Sequence, residues 1–195
     1  MKKLFCIFVI VAGLFGFYCV NVVNSLVYLD ENVKSTWSQV LNQYERRSDL
    51  IPNLVNTVKG YAVHEEMVLT EVIEARAKAT SVTVVSNGAL NPETMAQIQE
   101  AQGALSSALS RLMVVVEKYP ELKANENFMV LQSQLEGTEN RIAVARRDYV
   151  EAIKYFNIKI RKIPNSWIAK QFTDLTVKET FEIEPQKQEV PVVQF

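Results

Sequence analysis

From Leu26 onward apolar side chains return in steps of three and four, and Leu26, Leu29, Val33, Trp37, Val40 and Tyr44 fall on one face of a helix. This first helix is expected to end near Arg47, because Ser48 or Asp49 suits an N-cap and Pro52 suits the first turn of a new helix, where a missing N–H costs little. A second stripe runs through Ile51, Leu54, Val58, Tyr61, Val68, Val72 and Ala75 to an end near Ala79. If Pro52 only kinks the chain, these two helices are one bent rod. Residues 80–92, TSVTVVSNGALNP, break the helical period and form the longest connection, though the alternating valines also fit a small strand. A third stripe at Met95, Ile98, Leu105, Leu109, Leu112 and Val116 is closed by Tyr119-Pro120. Asn125 suits the cap of a fourth helix, patterned by Phe128, Leu131, Leu135, Ile142, Ala145, Tyr149, Ala152, Phe156, Ile160 and Ile163 and stopped by Pro164.

Ahead of these helices, Leu4 to Val20 is an apolar run of 17 residues, prolonged past Asn21 by Val22 and Val23. About 20 such residues in a helix match the ~30 Å hydrocarbon core of a bilayer. Bulky Phe17 and Tyr18 stand where a cleaved signal would carry small side chains, so a retained anchor is expected. Lys2 and Lys3 precede the run, and Asp30 and Glu31 follow it, which places the N-terminus in the cytoplasm and the remainder outside. The chain thus divides into residues 1–23, cytoplasmic N-terminus and transmembrane anchor; 24–163, four helices; and 164–195, an extended tail lying on them. The expected fold is all-α: an N-terminal transmembrane helix, a long antiparallel up-and-down four-helix bundle and an extended C-terminal tail.

Composition narrows the chemistry. With 21 Lys+Arg against 22 Asp+Glu, and no long basic stripe, nucleic-acid binding is not expected. With 2 Cys and 1 His, cysteine zinc sites, iron–sulfur clusters and His-rich metal centres lack their ligands. His64-Glu65-Glu66 fails as a helical zinc motif because Val68 stands where a second His belongs, and fails as a di-iron motif because Tyr61 stands where a Glu belongs. No catalytic residue, metal or cofactor is therefore expected.

Glu65 falls in the core stripe, seven residues from both Val58 and Val72, and a charge there requires a partner or water. Counting levels from a turn near Ser48 places Asn32, Gln102, Thr138 and Arg141 beside Glu65, which predicts a buried polar layer in mid-bundle. The same count puts Arg46, Arg47 and Asp49 at the bundle's top, near Glu121 and Glu126. Lys154, Lys159, Arg161 and Lys162 end the fourth helix without an intervening acid. They complement the helix dipole, and in an up-and-down bundle they face the membrane and its anionic headgroups.

Two blocks resemble the LemA family of bacterial membrane-anchored proteins. The first runs from Asn24 to Glu65 (NSLVYLDENV, WSQV, QYERRSDLIPNLVNTVKGYAVHE) and is followed by EARAKA at Glu74 to Ala79; the second runs from Ala108 to Tyr149. The likeness reaches the closing PVVQF at Pro191 to Phe195. It implies a single-pass anchor and a long antiparallel four-helix bundle, and it brings no agreed activity, cofactor or substrate. The resulting expectation is a non-enzymatic scaffold or adaptor in the bacterial inner membrane, contacting lipids through its anchor and envelope proteins through its bundle. The alternative is a lipid- or small-ligand-binding module using the polar layer or the basic end.

Overall fold

The computed structural model describes residues 2–62, 64–85 and 91–179. Every regular element among them is helical: α1 Lys2–Lys59, α2 Glu66–Val85, α3 Pro92–Val116, α4 Pro120–Lys123, α5 Glu126–Arg161 and α6 Asn165–Phe172. The N-terminal apolar run is the first part of α1 and is long and apolar enough to cross a membrane. No break separates it from the packed portion that follows Val22, so the expected boundary at residue 23 lies inside a single helix.

The chain does not turn near Ser48. α1 is helical through Pro52, with Arg47, Ser48, Ile51, Leu54, Val55 and Val58 all buried along one side. Proline removes one N–H from the helical ladder and leaves the carbonyl four residues earlier, that of Ser48, without its usual donor. Arg76 of α2 supplies the replacement: its Nε donates to the Ser48 carbonyl oxygen at 2.7 Å. This bond from a charged donor meets the demand that would otherwise favour a break at Pro52. α1 ends instead at Lys59, next to Gly60, a residue with low helix propensity. The turn then reaches α2 at Glu66. Neither reading of Pro52 holds in full: the helix runs through the proline, but it stops at Lys59 and does not continue as one rod to Ala79, since a separate helix begins at Glu66, 14 residues after that proline.

The other ends follow local chemistry. Asn91 caps α3 by accepting from the Thr94 N–H, with Pro92 in the first turn, and Asn125 caps α5 by accepting from the Phe128 N–H at 3.0 Å. Residues 80–85 are helical and belong to α2, so no strand forms there, while residues 86–90 lie outside the described residues. The beginning of the tail is also helical: Asn165–Phe172 forms α6 before the chain continues without regular structure over 173–179. The expected packing of residues 180–195, including PVVQF, lies outside the described residues.

α1 packs on α5, α2 and α6, α2 packs on α3, and α6 also meets α5. Buried apolar side chains form two clusters. One contains Leu26, Val33, Trp37, Tyr44, Tyr149, Phe156 and Ile168; the other contains Ile51, Leu54, Leu105, Leu112, Leu122 and Phe128. Trp37 and Tyr149 meet at 5.1 Å between ring centroids with a 46° tilt, a favoured aromatic arrangement. Beyond the second cluster the turns are joined by Tyr119, whose hydroxyl donates to Glu65 at 3.3 Å, and by Asn125, whose amide donates to the Tyr61 hydroxyl at 2.9 Å.

The Arg76 bond makes a specific energetic prediction. Arg76→Ala leaves the Ser48 carbonyl without its donor and should cost ~1–3 kcal/mol in denaturant unfolding. Pro52→Ala restores an N–H beneath that carbonyl, so the same Arg76 change should cost less in that background, with a coupling of about 1 kcal/mol. Equal costs in both backgrounds contradict the substitution of one donor for the other.

Candidate functional site: a buried arginine beneath an interhelical groove

Between the two apolar clusters α1 presents Arg47 and Ser48, both buried. Arg47 Nη1 donates to Ser106 Oγ at 3.0 Å and to Glu139 Oε2 at 2.8 Å. Its Nη2 donates to Gln102 Oε1 and, at 3.5 Å, to the Gln102 carbonyl. Its carbon Cζ lies 5.8 Å from the centre of the Tyr44 ring. Three helices thus converge on one guanidinium: α1 supplies it, α3 surrounds it with Gln102 and Ser106, and α5 supplies the counter-charge. Glu139 is exposed on its outer side and its carboxylate keeps water contact, whereas the guanidinium is removed from solvent. Arg47 Nε is buried without an acceptor, so the hydrogen bonding of this cation is nearly, not fully, complete.

A groove of about 1,680 Å³ opens above this cluster. Its floor holds Tyr44, Arg47, Ile142 and Tyr149; α3 lines one wall with Gln99, Gly103, Ser106, Ser107 and Ser110, and α5 the other with Glu139, Arg146 and Asn157. Thr176 to Glu179 reach the end of it nearest the apolar part of α1. That segment is pinned by reciprocal bonds between Asn157 and the backbone of Lys178, and by the Lys178 ammonium, 2.7 Å from Asp30 Oδ1 and 5.1 Å from the Phe156 ring centre. Asp30 also meets Lys34 at 2.9 Å. Burial pushes the Asp30 carboxyl upward, but the hydrogen bonds and charges of Lys178 and Lys34 outweigh it and hold the group below its ordinary value. The floor phenols move the other way. Burial raises Tyr149 to about 12 and also raises Tyr44, against the opposing charges of Arg146 and Arg47. Both rings therefore present neutral hydroxyls at physiological pH, fit for hydrogen bonding and not for nucleophilic attack. Among the described residues no cluster of His, Cys, Asp and Glu is placed to hold a metal ion.

The five residues of the expected polar layer do not come together. Gln102 and Thr138 are buried at the level of Arg47, with Thr138 Oγ1 donating to the Gln134 carbonyl at 2.7 Å. Asn32 and Arg141 are exposed, and Arg141 borders a recess of about 340 Å³ between α1 and α5 with Gln39, Asn42 and Asp148. Glu65 is half-buried in the turn at the far end, bonded to Tyr119. The cause is the continuous α1: moving the turn from Ser48 to Gly60 sends Glu65 to the end and brings Arg47 inward from the end assigned to it. Arg47 is accordingly paired with Glu139 and not with Glu121 or Glu126. The missed signal is the stripe itself, in which Arg47 follows Tyr44 by three and precedes Ile51 by four. Of the expected basic end, Lys154, Arg161 and Lys162 are exposed and Lys159 is half-buried, in the part of α5 that leads into α6.

Truncating Arg47 should be costly because it empties the layer and strands Gln102. Arg47→Ala is expected to lower unfolding free energy by ~3–5 kcal/mol, and Arg47→Met, which keeps most of the volume, by clearly less. Equal stability of Arg47→Ala and the parent in denaturant titration contradicts the buried position.

The model of the LemA family matches residues 36–195, a span that contains Arg47, Gln102, Ser106 and Glu139. Magnetosome proteins MamQ 2 and MamQ 1 of Paramagnetospirillum magneticum are each 26% identical over 165 residues, covering 75% of this chain and 60% of theirs. Protein LemA of Metamycoplasma hominis is 24% identical over 173 residues, covering 88% of this chain and 75% of its own length. The chain therefore spans less than two thirds of the MamQ relatives it matches. With the family pattern extending over most of its length, the chain belongs to the LemA family.

Proposed function

We propose that this LemA family protein is a non-enzymatic scaffold or adaptor that holds a polypeptide-binding groove at a fixed height above the bacterial inner membrane. In this reading Leu4 to Val20 crosses the bilayer once, Lys2 and Lys3 keep the N-terminus in the cytoplasm, and the packed helices form an antiparallel up-and-down four-helix bundle outside. The pairings support opposite helix directions. Trp37 meets Tyr149 while Arg47 meets Glu139, and Glu71 meets Arg111 while Lys78 meets Glu100.

The observation that carries the proposal is the size and setting of the groove. At about 1,680 Å³ it exceeds the ~300–1,000 Å³ usual for small-molecule pockets, so an extended segment or helix of a partner fits it better than a metabolite. Its floor mixes phenol rings with a held guanidinium, and its walls carry serine hydroxyls and amides that serve either hydrogen-bonding sense. α1 carries this floor directly from the anchor, and Arg47 lies ~40 Å along the helix from Val20. Two relatives are named as magnetosome proteins, and a role at a cellular membrane structure is proposed here by that analogy only at the level of scaffold.

A second reading, contact with lipid headgroups through Lys154, Lys159, Arg161 and Lys162, is favoured by the packing of α6 on α1, which brings the end of α5 to the emerging anchor. It is compatible with the first, since the two surfaces lie at different levels.

Photo-crosslinking in growing cells tests the scaffold. A photoreactive residue at Gln99 or Ser107, in the groove wall, should give a discrete protein adduct, and one at exposed Glu45, outside the groove, should not. Adducts from Glu45 with none from Gln99 or Ser107 would place partner binding elsewhere.

A further inference from the structure

α6 sits beside α1 where the apolar run ends. The Tyr18 hydroxyl donates to Asn165 Oδ1 at 3.1 Å, and the Asn165 amide donates to the Lys159 carbonyl at 3.1 Å, so one side chain joins the anchor helix to the end of α5. Cys19 and Val22 of α1 share an apolar cluster with Ile168 and Ala169 of α6. These contacts fix α6 at the level of residues 18–22. If Leu4 to Val20 fills the hydrocarbon, its 17 residues cover ~26 Å of a ~30 Å core, and the boundary falls within that same level.

The face of α6 turned to α1 and α5 is used up by Asn165, Ile168 and Ala169. Outside that face, α6 and the short stretch just ahead of it expose large apolar side chains next to Lys170 and Gln171: Ile163 is 85% exposed, Trp167 80% and Phe172 63%. Charge surrounds this patch with one sign. Between Glu151 and Asp174 the chain carries Lys154, Lys159, Arg161, Lys162 and Lys170 and no acidic residue. Tryptophan in the headgroup zone, with lysine and arginine reaching anionic phosphates, is the arrangement a bilayer surface favours. A protein partner would not account for the level of the patch, whereas continuity with the membrane-crossing run does.

We propose that α6 is an interfacial foot: it lies on the leaflet from which α1 emerges, with Ile163, Trp167 and Phe172 seated at the headgroup–acyl boundary and the five basic side chains against anionic headgroups. This rests on the reading that Leu4 to Val20 spans the membrane. The foot gives the rod a second point of attachment, so α1 cannot tilt or rotate independently of the bilayer and the groove keeps a fixed direction.

Trp167 reports on this directly, because the chain's other tryptophan, Trp37, is buried. The full-length protein is placed in nanodiscs of phosphatidylcholine with phosphatidylglycerol, using lipids brominated at shallow or deep acyl positions, and a Trp167→Phe protein supplies the blank. The expected Trp167 emission is blue-shifted, shielded from aqueous iodide and lost most to the shallow bromines. Changing Lys159, Arg161, Lys162 and Lys170 to Gln should reduce that loss. Emission fully open to iodide and untouched by brominated lipid overturns the proposal, as does shielding from iodide without lipid quenching, which would mean that a second copy covers the patch. Alkaline carbonate extraction of native membranes separates the two levels. Release of the protein overturns the spanning reading and the foot with it, while retention with an iodide-open Trp167 overturns the foot alone.

Discussion

The continuity of α1 through Pro52, where Arg76 donates to the Ser48 carbonyl, sets the level at which Arg47 and Glu65 lie. Pro52 creates a gap in the ladder of α1, and a gap in a helix is a place to turn. With a cationic donor from α2 filling that gap, the helix continues to Lys59 and its whole buried side stays in line. The rise of a helix is fixed at ~1.5 Å per residue, so displacing one turn by a dozen residues displaces every cross-chain neighbour by ~18 Å. Arg47 consequently lies between two apolar clusters and not at an end of them.

A buried guanidinium is weak evidence for stability, since apolar residues of the same volume often do as well. Its effect here is on specificity of packing. Gln102, Ser106 and Glu139 all reach Arg47 only when α1, α3 and α5 hold one register, since a one-turn shift of α3 removes the first two and a one-turn shift of α5 removes the counter-charge. Between the two apolar clusters, α3 and α5 face each other across Arg47 and the groove.

Much of this architecture is legible in the residues. The steps of four and three along Leu26, Asp30, Val33, Trp37, Val40, Tyr44, Arg47, Ile51, Leu54 and Val58 never leave one face, and the caps Asn91 and Asn125 are read from local chemistry alone. The position of the first turn was hidden because Ser48, Asp49 and Pro52 form a sound helix start, and the donor that overrides it stands 28 residues away on α2. Tertiary contacts of that kind leave no local trace. The candidate site depends on the same turn: Gln102 and Thr138 sit at the layer of Arg47, whereas Glu65, Asn32 and Arg141 join it only when levels are counted from a turn at Ser48. α6 was obscured by Pro164 and by the scattered aromatics after it, which read as extended chain until their burial against α1 distinguishes Ile168 and Ala169 from Trp167.

The central claim is that α1 is one rigid element from its apolar run to Lys59, and a distance along it tests that claim most directly. Spin labels at exposed Asn24 and Lys59, in a protein whose Cys6 and Cys19 are replaced by alanine, report the separation by pulsed electron resonance in nanodiscs. A continuous helix predicts ~52 Å between the backbone positions in a narrow distribution. A chain that turns back at Ser48 returns its second half alongside the first and predicts roughly 20–25 Å, a result that would contradict the account.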